Sequence, residues 1–163
     1  MMPIMIYSSS MDSPLGELIL SENNGKIIAI GFGKSKFCGT IKETEVLSRC
    51  KEQLEEYFRG ERKDFDIPLE PEGTDFQKKV WKALQHIPYG ELRSYKDIAE
   101  AIGKPKAVRA VGGANHVNPI PIIIPCHRVV AADMSLGGYA PGTGYKEILL
   151  KLEGSSQLLR FKK

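Results

Sequence analysis

The sequence predicts an α+β protein with two domains: a small N-terminal domain made of an antiparallel sheet and a helix, and a mostly helical C-terminal domain. Three observations support this division. Two apolar runs flank a turn sequence near the N-terminus, a stretch rich in proline and glycine follows at 68–73, and beyond it two capping-box sequences open helices. We therefore expect the domains at residues 1–70 and 75–163, joined by a linker at 71–74.

The composition excludes several classes of protein. Hydrophobic residues make up 42% of the chain and charged residues 26%, which is typical of a globular protein. No apolar stretch reaches the roughly 18 to 20 residues that span a bilayer, and residues 1–10 lack the pattern of a secretory signal. The three cysteines are too few for a disulfide framework, and no Cys or His spacing suggests zinc. We expect a cytoplasmic protein without a metal or cofactor.

The N-terminal domain begins with a predicted β-hairpin. Residues 15–20 and 26–32 are apolar runs typical of strands, and Asn24-Gly25 between them tolerates the positive φ of a type I′ turn. Residues 43–58 carry apolar side chains at helical spacing, and this stripe includes Cys50, which is therefore predicted to be structural. Alternation of apolar and acidic residues over 65–70 predicts one further short strand.

The C-terminal domain begins with three predicted helices. A capping box at 74–77 opens a helix whose apolar stripe extends to Ile87, and a second capping box at 94–97 opens a short helix. Pro105 suits the first turn of the next helix, which is expected to end near Ala114. Two short helices around a glycine suggest a helix-turn-helix, although an ordinary pair of antiparallel helices has the same pattern.

The charge is distributed unevenly between the two halves. Residues 1–74 contain nine basic and 13 acidic side chains, a net charge of −4, whereas residues 75–163 contain 14 basic and seven acidic ones, a net charge of +7. A basic half suggests contact with a polyanion, and the lysines and arginine of the second short helix favour DNA. A chance imbalance among solvated charges is the alternative.

One apolar run ends in a potentially reactive thiol. Residues 119–125 lead directly to Cys126, followed by His127 and Arg128. Such runs usually become buried strands, but a cation or base beside a cysteine favours the thiolate, so Cys126 is a candidate nucleophile. Neighbours on a strand point to opposite faces, so direct contact between Cys126 and His127 is not assured, and a bridging water could relay the proton. Arg128 has a simpler interpretation, an ion pair that holds the strand.

A carboxylate is the usual group to orient such a histidine. The nearest candidates along the chain are Asp133, Glu147 and Glu153, and spacing does not choose between them. A cysteine hydrolase would in addition need an oxyanion hole, and nothing in the sequence points to acyl substrates.

Taken together, these segments resemble one family, the methylated-DNA–protein-cysteine methyltransferases that repair O6-alkylguanine. The resemblance is strong and collinear over residues 73–154. The matching motifs are Gly73-Thr74-x-Phe76-Gln77-x-x-Val80-Trp81, Ile87-Pro88-Tyr89-Gly90, Ser94-Tyr95, Arg109-Ala110-Val111-Gly112-x-Ala114-Asn115, Asn118-Pro119, Ile124-Pro125-Cys126-His127-Arg128-Val129, Leu136-Gly137-Gly138-Tyr139, and Lys146 with Leu149-Leu150-x-x-Glu153-Gly154. Residues 1–70 resemble the ribonuclease H-like N-terminal domain of the family in general form.

The resemblance implies a mechanism and a set of site residues. It implies that Cys126 attacks the alkyl carbon on O6 of guanine in duplex DNA and keeps the alkyl group, that His127 deprotonates Cys126 through water, and that Glu153 orients His127. It further implies that Asn118 is a hinge between the recognition helix and the active site. The protein would be a monomer that acts once on an extruded base.

The resemblance also assigns the groups around the base. Arg109 would fill the vacated place in the base stack, and Tyr95 would press on the backbone phosphate. Tyr139 would contact the extruded guanine and help it leave. The remaining expected DNA contacts are Ser94, Lys106, Ala110, Gly112 and Gly113, and the expected pocket residues are Pro121, Val129, Tyr139, Ala140 and Pro141.

Two features of the sequence bear on this assignment. Many relatives have glycine at the position of Pro141, so a stiffer pocket rim is expected here. An alkyltransferase-like protein that recognises damage without chemistry is the alternative, but those proteins carry another residue, often tryptophan, at the position of Cys126.

Overall fold

The computed structural model describes residues 4–33, 39–131 and 143–155. The chain forms two compact units, Met1–Glu72 and Gly73–Lys163. The first unit is a sheet with one helix and the second is mostly helical, so the predicted α+β class is confirmed. None of the helices among these residues is long and apolar enough to cross a membrane.

The first unit is built on a four-stranded sheet. Its strands are β1 (Ile6–Met11), β2 (Leu18–Asn23), β3 (Lys26–Phe32) and β4 (Thr40–Ile41), in the order β3-β2-β1-β4. Strand β2 is antiparallel to both β1 and β3, and β4 pairs parallel with β1. The sequence analysis missed β1 because three consecutive serines interrupt its apolar pattern. Ser8 is nevertheless buried, and its hydroxyl pairs with that of Ser21 across the ladder at 2.8 Å.

The hairpin and the helix of this unit follow from local chemistry. Asn24 and Gly25 have φ values of 53° and 78°, as a type I′ turn requires. Helix α1 (Glu45–Phe58) begins two residues later than predicted, because Thr44 is its N-cap and accepts a hydrogen bond from the Leu47 amide. Cys50 is fully buried on its apolar face, as expected.

The strand predicted at 65–70 is reduced to a single bridge. Leu69 pairs with Ile27 in parallel, with hydrogen bonds from the Ile27 amide to Pro68 and from the Glu70 amide to the Ile27 carbonyl. Pro68 has no amide hydrogen, so the ladder cannot continue through it.

The second unit consists of helices and one small sheet. The elements are α2 (Asp75–Leu84), β5 (Arg93–Ser94), α3 (Tyr95–Ala101), α4 (Val108–His116), β6 (Val129–Val130) and α5 (Thr143–Leu152). Strands β5 and β6 pair in parallel. Both predicted capping boxes are present, one at Thr74 and Gln77 and the other at Ser94 and Asp97.

Two helix boundaries differ from prediction. Helix α2 ends at Leu84, because the backbone tightens into turns whose amides at His86 and Ile87 bond three residues back. Helix α4 begins at Val108 and not near Pro105. Gly103 has a φ of 76° and a turn follows from Lys104, so Pro105 lies in the connection between α3 and α4.

Helix α2 is fastened to α4 through Trp81. This side chain is buried, and its indole nitrogen donates to the Ala114 carbonyl at 2.9 Å. Gly73 lies against the same ring, where an added Cβ would come within 2.5 Å of the indole. The linker glycine is therefore required by close approach to the core of the second unit.

Candidate active site

The segment that carries Cys126 is not the strand that its apolar composition predicts. Residues 119–124 form successive turns, residues Cys126–Arg128 form a 3₁₀ turn, and the strand begins only at Val129. Prolines at 119, 121 and 125 remove the donors that a ladder would need, so this part of the segment cannot pair regularly. In a 3₁₀ turn neighbouring side chains are about 120° apart, so the strand argument against contact between Cys126 and His127 does not apply.

The backbone immediately before Cys126 is unusually compact. The Ile123 amide bonds to the Pro121 carbonyl at 2.9 Å around Ile122, whose φ is 75°. A positive φ at a β-branched residue is a strained conformation of the kind that occurs at functional sites. The Cys126 amide similarly bonds to the Ile124 carbonyl at 2.8 Å.

Two asparagines hold this compact segment in place. Asn118 donates to the Ile124 carbonyl at 2.8 Å and accepts from the Ile120 amide at 3.0 Å, so it closes the turn on itself. Asn115, on the buried face of α4, donates to the Cys126 carbonyl at 3.4 Å. Sequence analysis gave Asn115 no role. A polar residue on the apolar face of a helix was the available signal, because buried amides need partners.

Cys126 is 3% exposed, and the Lys146 ammonium binds the backbone of the segment that carries it. The Lys146 ammonium, itself fully buried, donates to the Val129 carbonyl at 2.5 Å. Burial lowers the pKa of Lys146 to about 8, and the negative charge of Cys126 opposes that change. Burial and the charge of Cys126 raise the pKa of Tyr95, so its phenol stays protonated.

His127 and Glu153 form the pair that the family resemblance implied. The His127 Nε2 atom lies 2.7 Å from Glu153 Oε2, and both side chains are fully buried. Burial alone would raise the pKa of Glu153, but the hydrogen bond from His127 and the hydrogen bonds and charge of Arg128 outweigh it and hold that pKa well below its usual range. Glu153 is therefore a carboxylate.

The protonation state of His127 follows from this pairing. Burial lowers the pKa of His127, Glu153 opposes the change, and the charges of Arg128 and Lys146 add to it, so the imidazole is neutral. A carboxylate can only accept, which places the imidazole proton on Nε2. The Nδ1 atom is buried and has no hydrogen-bond partner among the described residues, so its lone pair is available to a proton donor.

Arg128 completes the cluster by binding the same carboxylate. Its Nε and Nη2 atoms donate to the two oxygens of Glu153 at 2.8 and 3.0 Å. Its Nη1 atom donates to the Ile87 carbonyl at 2.7 Å. The ion pair that the sequence allowed for Arg128 therefore exists, and its partner is Glu153.

The remaining predicted site residues fall into three groups. Lys106, Arg109, Ala110 and Gly113 are exposed in or just before α4, while Gly112 is half-buried and an added Cβ there would lie 4.0 Å from Tyr95. Ser94 caps α3, so its hydroxyl is engaged by the Asp97 amide. Pro121 and Val129 are buried, and Tyr139, Ala140 and Pro141 lie outside the described residues. Those described residues contain no group of three or more His, Cys, Asp or Glu side chains that could hold a metal ion.

Comparison with known proteins matches both units to one family. Residues 75–155 match the 6-O-methylguanine DNA methyltransferase, DNA binding domain, and residues 6–71 match the ribonuclease-like domain of that methyltransferase. A methylated-DNA–protein-cysteine methyltransferase of Methanosarcina acetivorans is 50% identical over 155 residues, covering 92% of this chain and 99% of that protein. The constitutive one of Bacillus subtilis is 49% identical over 158 residues, covering 91% and 96%.

A solved structure agrees with these relatives. The crystal structure of Mycobacterium tuberculosis OGT in complex with DNA matches with a TM-score of 0.85 at 45% identity, covering 92% of this chain and 94% of that one. The chain therefore belongs to the 6-O-methylguanine DNA methyltransferase family.

Proposed function

We propose that this protein repairs DNA by moving the alkyl group of O6-alkylguanine irreversibly onto its own Cys126. The observation that carries the proposal is the buried Cys126 beside a neutral histidine whose orientation is set by a carboxylate 2.7 Å away. Membership of the methyltransferase family supports the same chemistry.

In the proposed reaction His127 acts as the base. Its free Nδ1 atom takes the Cys126 proton, through a bridging water, while Glu153 holds the ring. The thiolate then attacks the alkyl carbon, the carbon–oxygen bond breaks, and its electron pair stays with the guanine. The guanine takes up one proton in exchange for the one that Cys126 released. The thioether has no leaving group for reversal, so each protein molecule acts once.

The thiolate would be stabilised by its surroundings. Lys146 is the nearby cation: its ammonium donates to the Val129 carbonyl, three residues after Cys126, and the charge of Cys126 opposes the lowering of its pKa. A cation beside a cysteine lowers the free energy of the thiolate, which is the nucleophilic form. Lys146 belongs to the last motif shared with the family, but the sequence alone indicates no role for it.

The proposed DNA-binding surface is the exposed side of α4. Arg109, Ala110 and Gly113 lie on this side, and the opposite side packs inward through Val111 and Ala114. Small side chains let a helix approach a groove closely, and Arg109 is long enough to enter the base stack after extrusion of the target. Contacts to phosphates should make binding strongly dependent on salt. We also propose that the protein works as a cytoplasmic monomer.

Intact-mass spectrometry tests the proposed transfer. Incubation with a duplex that contains O6-methylguanine should add one methyl group per protein molecule and no more. Cys126→Ala should stay at its original mass, and the control Cys50→Ala, which removes a thiol buried in α1, should be methylated like the wild type.

Two results would contradict the proposal. Methylation of Cys126→Ala would show that another residue accepts the group. Tight binding of modified DNA by the wild type without any mass change would instead indicate a damage-recognition protein.

A further inference from the structure

We propose that Arg128 is a positioning residue for this reaction: it fixes the Glu153 carboxylate and keeps the buried His127 imidazole neutral and able to accept a proton. The inference rests on the proposed function and assigns a part in it to a residue that the function did not require. Arg128 acts through Glu153 and has no direct part at the reacting atoms.

The hydrogen bonds to Glu153 show why its orientation depends on Arg128. Oε2 accepts from His127 at 2.7 Å and from Arg128 Nη2 at 3.0 Å, and Oε1 accepts from Arg128 Nε at 2.8 Å and from the Gly90 amide at 3.4 Å. Arg128 supplies two of these four donors in a planar, two-pronged geometry, which fixes the plane of the carboxylate. His127 therefore meets a carboxylate whose orientation is already set.

The guanidinium is itself fixed from outside the pair. Its third donating nitrogen binds the Ile87 carbonyl at 2.7 Å, and its centre lies 5.7 Å from the Tyr89 ring. The side chain of Arg128 is 8% exposed and that of Glu153 is fully buried. The connection after α2 therefore holds Arg128, Arg128 holds Glu153 at the end of α5, and Glu153 holds His127.

The charge of Arg128 has a second effect on His127. A buried carboxylate beside a histidine favours the imidazolium form, which cannot accept a proton from Cys126. Among the described residues, the charged groups that act on the pKa of His127 are Glu153, Arg128 and Lys146. Among these, Arg128 binds the same carboxylate as His127 and so offsets its charge most directly. Without Arg128, the negative charge of Glu153 would be less well offset and would favour the imidazolium form of His127 more strongly.

The rate of transfer measured against pH tests this inference. We expect Arg128→Met to move the acid limb of the profile upward by about one pH unit, since a neighbouring charge typically shifts a pKa by 1 to 3 units. At a pH on that limb the rate should fall about tenfold, and it should recover in part at higher pH. Arg128→Lys keeps the charge but not the two-pronged geometry, so its limb should return toward the wild-type position. Arg59→Met, which removes an exposed ion pair with Glu61, is the matched control and should leave the profile unchanged.

A second variant distinguishes a folding defect from an effect on the reaction. If Arg128→Met does not fold, the Arg128→Lys profile and a direct NMR titration of His127 in that variant carry the test. Arg128→Lys should then transfer more slowly than the wild type at every pH while His127 titrates near its wild-type position.

Different results would overturn the role of Arg128 and the proposed function. A rate lowered by the same factor at every pH in Arg128→Met, or a His127 titration that does not respond to loss of the charge, would overturn the inference and leave a purely structural role. Absence of transfer by the wild type at all pH values would overturn the proposed function instead.

Discussion

Replacement of Lys146 by methionine should stabilise the protein near neutral pH and lose that advantage at alkaline pH. Lys146 is fully buried, and its pKa is lowered from 10.5 to about 8. Between these two values the unfolded chain holds the proton and the folded chain releases it. Stability rises with pH wherever the unfolded state binds more protons, so the wild type should gain stability from pH 8 to 10.5.

The magnitude follows from the same two values. Each pKa unit corresponds to about 1.4 kcal/mol, so burial of the ammonium costs about 3 kcal/mol below pH 8. Methionine removes this cost but also removes the hydrogen bond to the Val129 carbonyl, worth about 1 kcal/mol. Lys146→Met should therefore exceed the wild type by about 2 kcal/mol at pH 7, and the difference should shrink by about 2 kcal/mol by pH 9.5.

Urea unfolding of both proteins at pH 7.0, 8.0, 9.0 and 9.5 measures this difference. Lys82→Met, which removes an exposed ammonium from α2, is the control and should give a difference that stays constant. A Lys146→Met difference that stays constant within about 0.5 kcal/mol across the range would refute the reasoning. The same variant should transfer alkyl groups more slowly, because Cys126 loses its neighbouring cation.

Three further results are expected. Glu153→Gln should lower the free energy of unfolding, measured in urea, by about 3 to 5 kcal/mol, since it leaves the Arg128 charge buried without its partner. Because the pKa of Glu153 is held low, the wild type should also lose stability as the pH falls below 4.5, and the variant should lose less. Equal acid sensitivity of the two proteins would contradict this. Gly113→Ala should stabilise α4 by about 0.5 to 1 kcal/mol, because an added Cβ meets nothing within 4 Å, yet weaken duplex binding several-fold in fluorescence anisotropy; unchanged binding would argue against close approach of α4 to DNA. Iodoacetamide should label Cys126 well before Cys50, whose pKa is raised to about 12 by burial, and peptide mapping that finds Cys50 labelled first would contradict the site.

Features set by local chemistry could be predicted from the sequence. The capping boxes at Thr74 and Ser94 involve side chains three residues from their partners, and Asn24-Gly25 adopts its turn without help from the rest of the chain. The same holds for the face of α1 that buries Cys50. In each case the residues that decide the structure are close together along the sequence.

Features set by distant partners could not be predicted from the residues alone. The strand β1 is polar in its middle and is stabilised by pairing on both edges. Glu153 reaches His127 and Arg128 only because the end of α5 packs against the 3₁₀ turn, and spacing along the chain did not separate it from Asp133 or Glu147. Family resemblance supplied that choice because relatives share the tertiary arrangement.

The segment before Cys126 shows a conflict between two local signals. Its isoleucines favour a strand, but prolines 119, 121 and 125 withdraw the donors on which a strand depends. The prolines prevail, and the chain folds into turns closed by Asn118. The prolines are thus the better guide here: without a strand, the side chains of Cys126 and His127 need not point to opposite faces.

The cluster of buried charges implies that the proposed repair removes the ability of the site to adjust its own charge. With His127 neutral and Cys126 as a thiol, the described charges around the site are one anion, Glu153, and two cations, Arg128 and Lys146. The fresh protein can balance the extra positive charge by ionising Cys126, whereas the thioether that forms on Cys126 carries no charge at any pH. Lys146 then has no thiolate to oppose its deprotonation. The spent protein should therefore release the Lys146 proton at a lower pH than the fresh one.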